Sequence, residues 1–210
     1  MEKNLAIIKN WLGTGAINIF GIQYSGKDTV GKKLAEVLGA EFFASGDVVR
    51  ASSAKLNNKD YNDRGLLTET HEYQKLAEDF LAKYLPPNKA IILGSFGRWI
   101  GEETGVMQAA EQGGHAIRAA LNLVIPEDEV WRRWRASFVL NDRGERVDEN
   151  NQTKVAQRLA EFKNKTLPVI AKYGEMDLLI EINGHQSRDE VFAEVVAKLA
   201  EFAKRSRETD

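Results

Sequence analysis

The chain has 210 residues, of which 43% are hydrophobic and 29% are charged, and this supplies enough apolar surface for one sizeable core. Its 29 lysines and arginines are balanced by 31 acidic residues, and the net charge of -2 excludes a general attraction to nucleic acids or anionic membranes. The absence of cysteine excludes disulfides, thiolate zinc sites and a cysteine nucleophile. We therefore expect a single domain over residues 1–210, in the cytoplasm, with neither nucleic acid nor membrane as partner.

Predicted strands and helices alternate along the chain. The first 15 residues are amphipathic and too interrupted for a membrane span, which predicts a short surface helix. Short apolar runs predict buried strands at 16–20, 41–44, 90–94, 121–125 and 177–182. Helical spacing predicts helices at 29–38, 69–84, 127–137, 151–173 and 187–204. This order predicts an α/β fold, a five-stranded parallel sheet with helices on both faces.

Two polar segments interrupt the alternation. One covers about residues 45–70, between the second and third strands, and the other is a glycine- and charge-rich stretch at about 137–150. Each is interpreted either as an exposed connection or as a moving part of a functional site.

A phosphate-binding motif follows the first predicted strand. Residues 21–29, GIQYSGKDT, have the spacing G-x4-G-K. Gly21 and Gly26 let backbone N–H groups turn toward phosphate oxygens, the next helix directs its positive end at them, and Lys27 adds a charge. Thr29 is the expected Mg2+ ligand, directly or through water, because hard cations prefer oxygen. A structural glycine-rich turn is the alternative interpretation.

The loop and the residues after it resemble a known family. GIQYSGKDT followed by ASGDVVR at 44–50 is similar to the adenylate kinase and nucleoside monophosphate kinase pattern, G-x4-G-K-x-T and then a serine or threonine before G-D-x-x-R. The similarity continues at 66–68 and 95–98, is strongest at 146–173, and covers about residues 16–199. The segment before Arg146 resembles the short-lid members.

This resemblance implies a three-layer P-loop NTPase fold and a phosphotransferase. The enzyme would use ATP and Mg2+ to phosphorylate a nucleoside monophosphate, AMP first, giving two nucleoside diphosphates. It would be a monomer, with an acceptor-binding flap at 45–70 and a lid at 137–150.

The resemblance also assigns roles to individual residues. Phosphoryl transfer needs positioning and positive charge more than a strong base, so arginines are expected around the migrating group. The implied catalytic residues are Lys27, Arg98, Arg133, Arg146 and Arg158, with Arg143 or Arg135 as a further contact. ATP would be held by Gly21, Ser25, Gly26, Lys27, Asp28, Thr29 and Arg133. The acceptor would be held by Ser45, Arg50, Leu67, Thr68, Arg98 and Glu102, with Asp148 and Glu149 orienting the lid arginines.

The chain departs from the family pattern at the end of the third strand. The family has D-G-F-P-R there, whereas this chain has GSFGR at residues 94–98, so Gly94 stands where a metal-positioning acid is expected. Asp28, or Asp47, is the candidate replacement, and through water it would share Mg2+ with Thr29. Asp47 is also a candidate helix N-cap.

A second departure concerns the base of the acceptor. Glu102 stands where adenylate kinases have a glutamine that both donates and accepts, and an ionised Glu only accepts hydrogen bonds. It suits a base edge that donates, unless Gln108 or Gln112 takes over the role. The alternative is a solvated pair, Glu102 and Glu103, at a helix start.

Two further functions stay open from the sequence. One is a kinase of the same type with CMP, UMP or GMP as acceptor. The other is a nucleotide-binding regulator that has kept the loop and lost transfer activity, which the missing acid favours and the retained arginines oppose.

Overall fold

The computed structural model of the protein describes residues 1–48, 70–140 and 152–208. The side chains of 70–73, 138–140 and 208 are not described. The predicted flap and lid therefore lie mostly outside the described residues, and with them Arg50, Leu67, Thr68, Arg143, Arg146, Asp148 and Glu149.

The centre of the fold is a parallel sheet of five strands in the order β2-β3-β1-β4-β5. Its strands are β1 (Ala16–Gly21), β2 (Glu41–Ala44), β3 (Ile91–Gly94), β4 (Ile117–Val124) and β5 (Leu179–Asn183). The five predicted strands are confirmed, although β4 begins four residues before the predicted Leu121. The sheet belongs to the P-loop NTPase class, as the sequence predicted.

Helices follow the strands in alternation. They are α1 (Glu2–Leu12), α2 (Lys27–Leu38), α3 (Thr70–Lys83), α4 (Glu102–Gln112), α5 (Glu127–Leu140), α6 (Gln152–Glu161), α7 (Leu167–Glu175) and α8 (Arg188–Glu208). A further helical stretch starts at Ser45, immediately after β2. Within the described ranges, no helix is both long and apolar enough to cross a membrane.

Two apolar layers enclose the sheet. Ile17 and Ile19 of β1 face a cluster that contains buried side chains of α1, α2 and α8. Ala16 and Phe20 face the opposite cluster, formed with α3, α4 and α7. Because successive side chains of a strand point to opposite faces, β1 is buried on both sides, as expected for the central strand of a three-layer fold.

The long helix predicted at 151–173 is interrupted. Residues Phe162–Thr166 form a π-helical turn between α6 and α7. Pro168 follows in the first turn of α7, and a proline has no N–H to donate to the preceding turn. The prediction of one regular helix was therefore wrong at this point.

Candidate active site

The phosphate loop connects β1 to α2. Gly26 is the N-cap of α2 and has left-handed dihedrals, φ 90° and ψ 10°. A Cβ at Gly21 would lie 2.5 Å from Ser25 Oγ, so a side chain there would collide with the loop itself. Both glycines are therefore required by the turn, and the amino end of α2 points into the loop, where its first N–H groups lack intrahelical partners.

The polar side chains of the loop lie at this helix start. Lys27 Nζ is 3.5 Å from Asp28 Oδ1, and the Lys27 side chain is 21% exposed. Ser25 is buried, and among the described residues its Oγ has no hydrogen-bond partner. Thr29 is exposed in the first turn of α2. The residues predicted for ATP and metal binding thus lie together around one helix N-terminus.

Arg98 and Ser45 meet beside this loop. Arg98 follows β3, Ser45 follows β2, and β3 lies between β2 and β1. Arg98 Nη2 donates to Ser45 Oγ over 2.8 Å, and Arg98 Nε donates to the Ser95 carbonyl over 3.2 Å. Both predicted acceptor residues therefore occupy the carboxyl edge of the sheet, where ligands of parallel α/β sheets bind.

Arg133 lies on the other side of the loop. Its Nη1 donates to the carbonyls of Tyr24 and Ser25, at 3.1 and 3.3 Å, and its Nη2 donates to Gly184 O over 2.8 Å. Its Nε donates to Glu129 Oε1 over 2.6 Å. The guanidinium therefore links the phosphate loop to the turn after β5, on the side predicted for the donor nucleotide.

The helix that carries Arg158 packs against the same loop. Val155 and Leu159 of α6 share a buried cluster with Ile22 and Tyr24 of the phosphate loop. Arg158, next to Leu159, is half-buried in this helix. Arg135 is exposed on α5. The packing thus brings α6, which carries Arg158, to the loop. The lid arginines lie outside the described residues.

Comparison with known proteins agrees with this geometry. A family profile described as AAA domain matches residues 20–166. An adenylate kinase of Phocaeicola vulgatus is 30% identical, over 86% of this chain and 96% of the relative. An adenylate kinase of Bacteroides thetaiotaomicron is also 30% identical, over 85% and 95%, and one of Methanosarcina barkeri is 26% identical, over 89% and 99%.

The chain belongs to the adenylate kinase family. It is a phosphotransferase of the nucleoside monophosphate kinase type, and members of this family generally use ATP and Mg2+. The family resemblance inferred from the sequence is confirmed.

The position of the missing acid is filled by an aromatic ring. A Cβ at Gly94 would lie 3.1 Å from Phe42 Cζ and 3.3 Å from the backbone of Ala44. A Cβ at Gly31 of α2 would collide with the same ring at Cε2. This chain therefore uses the space between α2 and β3 for packing.

Glu102 is buried at the start of α4, with 1% exposure, and Glu103 has 6%. Glu102 Oε2 accepts the N–H groups of Arg98 at 2.8 Å and Trp99 at 3.1 Å. Burial raises the pKa of Glu102, and these two backbone N–H groups oppose the rise. The alternative of a solvated pair was therefore wrong, although a helix does start there. Within the described residues, Glu102 Oε1 has no hydrogen-bond partner.

Glu129 is a site residue that the sequence analysis missed. It is 3% exposed, and its two oxygens accept from Arg132 and Arg133. The hydrogen bond from Arg132 is the main reason that its pKa falls to about 2, with Arg133 adding to the effect and burial opposing it. The four-residue spacing of Glu129 and Arg133 on a predicted helix is the sequence signal for this pair.

We expect Glu129→Gln to weaken ATP binding and to lower the stability of the fold at neutral pH. Because the pKa in the folded state is below the unfolded value of 4.5, ionised Glu129 stabilises the fold above pH 4.5, and this is lost as the pH falls toward 2. At neutral pH the variant should lose about 1 to 2 kcal/mol in urea unfolding. The stability difference from wild type should shrink on acidification.

Asp128→Asn, at the exposed neighbouring residue of the same helix turn, is the matched control. The variant Glu129→Gln should also raise the KM for ATP, because Arg133 loses its anchor, whereas Asp128→Asn should not. A stability difference that does not vary with pH would contradict the assignment of the low pKa to Glu129.

Proposed function

We propose that the enzyme transfers the γ-phosphoryl group of ATP to AMP and yields two molecules of ADP. The observation that carries the proposal is the position of Arg98, held by Ser45 Oγ at 2.8 Å on the strand next to the phosphate loop. A planar guanidinium binds phosphate oxygens in pairs. A monophosphate on Arg98 and a triphosphate on Lys27 would meet at one edge of the sheet, where positioning and positive charge accelerate transfer.

ATP is assigned to the phosphate loop, with Gly21, Ser25, Gly26 and Lys27 around its phosphates and Arg133 at its side. Arg158, and Arg146 of the predicted lid, are proposed to neutralise charge on the transferred group. Arg50, Leu67 and Thr68 are proposed to complete the acceptor site with Ser45.

The first turn of α2 suits the Mg2+ that the family uses. Asp28 and Thr29 offer adjacent oxygen ligands there, and the Asp28 side chain is 41% exposed. In the described part of the chain, no cluster of three or more acidic or histidine side chains forms a metal cage. This fits Mg2+, which keeps several waters and binds through one or two protein oxygens and the substrate phosphates. Bound there, the ion would neutralise phosphate charge, while Asp28 and Thr29 hold its water shell.

Glu102 remains a candidate contact to the acceptor base, as the sequence pattern implies. Its Oε1 is buried and its Oε2 accepts two backbone N–H groups, so this contact would require the turn that carries Arg98 to open around Oε1. The exocyclic amine of adenine donates hydrogen bonds, so an accepting oxygen is compatible with AMP. The bases of GMP, CMP and UMP also present N–H donors, and these acceptors are therefore the second candidates.

The test is ADP formation with ATP and Mg2+ and each of AMP, GMP, CMP, UMP and dTMP in turn. We expect turnover with AMP, and a rise in the acceptor KM of about 100-fold in Arg98→Ala, because a desolvated bidentate phosphate contact is lost. Arg118→Ala is the matched control, since Arg118 is exposed near the amino end of β4. Faster turnover with another monophosphate would reassign the acceptor. ATP binding without turnover of any monophosphate would support the regulator instead.

A further inference from the structure

A buried carboxamide connects β1 to the turn that carries Arg98. Asn18 lies in the middle of β1 and is fully buried. Its Nδ2 donates to Phe96 O over 2.8 Å, and its Oδ1 accepts from Phe96 N over 3.2 Å. One side chain therefore satisfies both backbone polar groups of Phe96.

The turn needs this support because it leaves the sheet. Pairing of β1 with β3 ends at Ile19 and Gly94, apart from a bond from Ser95 N to Ile19 O at 3.0 Å. Ser95 and Gly97 then have positive φ angles, 58° and 70°. Such a backbone cannot continue the ladder of β3, and buried backbone groups without partners are costly. At Phe96, the Asn18 side chain makes the two backbone hydrogen bonds that a neighbouring strand would otherwise make.

The layer that surrounds Asn18 is mainly apolar. The cluster on this face of the sheet includes Phe20, Phe96 and Val106, each fully buried. A carboxamide in such a layer is tolerated only with its hydrogen bonds made. Asn18 and Phe96 are therefore tied to one arrangement, in which the turn cannot slide along β1.

Arg98 is also held by hydrogen bonds of its own within and after this turn. Its own N–H donates to Glu102 Oε2, and its Nε donates to Ser95 O, inside the turn that Asn18 fixes. The strand that carries Asn18 ends three residues later at Gly21, where the phosphate loop begins. Asn18 thus connects β1, which leads into the phosphate loop, to the turn that carries the acceptor arginine.

We propose that Asn18 is a positioning residue for phosphoryl transfer, which fixes Arg98 relative to the phosphate loop through the backbone of Phe96. This inference rests on the proposed role of Arg98 in binding the acceptor phosphate. The effect of Asn18 on the reaction is indirect. The side chain is buried and contacts the turn, so it influences transfer only by fixing the position of the Arg98 guanidinium.

The variant Asn18→Leu removes both hydrogen bonds and keeps the branched heavy-atom skeleton of the side chain, although its methyl groups are larger. We expect the KM for the monophosphate to rise about 10-fold and kcat to fall about 10- to 100-fold, since misplacement by about 1 Å can cost that much. The KM for ATP should change by less than about 2-fold, because Lys27 and the loop glycines are untouched. Asn122→Leu is the matched control, since Asn122 is a buried asparagine on β4 whose Oδ1 bonds to no described residue.

A double-mutant cycle separates positioning from a loss of stability. If Asn18 acts through Arg98, then Asn18→Leu should have little further effect on the acceptor KM in an Arg98→Ala background. Independent effects of the two substitutions, or equal rises in both KM values, would overturn the proposal. If Asn18→Leu does not fold, Asn18→Asp, which keeps the acceptor and loses the donor, replaces it in the cycle.

A readout independent of turnover distinguishes this inference from the proposed function. The Arg98 Nε–H resonance in 15N spectra should shift in Asn18→Leu and not in Asn122→Leu, and an unchanged resonance would overturn the inference. Absence of turnover in the wild-type enzyme would refute the proposed function, and the spectra would still decide the position of Arg98.

Discussion

Lys27→Met should lower turnover about 100- to 1000-fold, the range for the loss of one preorganised charged donor in a transition state. Lys27 is the first residue of α2 and follows Gly26, so its stem leaves the loop at the point where the backbone N–H groups converge. In the free enzyme its ammonium group is 3.5 Å from the Asp28 carboxylate. Bound triphosphate would bring stronger negative charge to the same place, and methionine keeps the stem while removing the ammonium group.

Whether Lys27→Met changes mainly kcat or mainly the KM for ATP shows whether Lys27 stabilises the transition state or only binds ATP. A fall in kcat with a smaller change in the KM for ATP indicates an interaction strongest in the transition state, whereas a rise in KM alone indicates uniform binding. Lys32→Met is the matched control, because Lys32 is exposed on the same helix. Normal turnover in Lys27→Met, with an unchanged melting temperature, would contradict a catalytic role for the phosphate loop.

Much of the fold could be predicted because apolar runs and glycines carry strong local signals. The run at 16–20 between glycines indicated the central strand, and Gly21, Gly26 and Lys27 indicated the loop after it. The start of β4 was missed because Arg118 and two alanines follow Ile117 and weaken the apolar pattern. The helix α4 gave little signal, since Gly105 and polar residues dilute its apolar face.

The site was predicted less completely because its supports come from distant parts of the chain. Asn18 and Phe96 are 78 residues apart, and a polar residue in an apolar strand does not reveal which backbone it will meet. The burial of Glu102 likewise depends on the turn at 95–98, since an acidic residue at a helix start is ordinarily solvated. Residue types and spacing predicted which groups would bind the ligands, whereas the contacts that hold those groups required the packed structure.

Gly94→Asp, which restores the acid of the family pattern, should destabilise the protein by about 3 to 5 kcal/mol, as expected for overpacking combined with an unpaired buried charge. The residue lies at the end of β3 and is buried. Its added Cβ would be 3.1 Å from the ring of Phe42, closer than nine in ten real Cβ contacts, and the backbone of Ala44 lies 3.3 Å from it. A carboxylate would have to displace the ring to reach water or a metal.

The steric origin of this effect can be measured through Phe42. In a Phe42→Leu background the far edge of the ring is gone, so Gly94→Asp should cost clearly less in urea unfolding than it does in the wild type. Gly94→Ala, which adds the Cβ without a charge, should cost about 1 to 2 kcal/mol and separates packing from desolvation. A near-neutral Gly94→Asp with tighter Mg2+ dependence would show instead that the position is open. With Phe42 between Gly31 and Gly94, an acid at the end of the third strand would be costly. This supports the proposal that Asp28 on α2, the described carboxylate beside Lys27, positions Mg2+ instead.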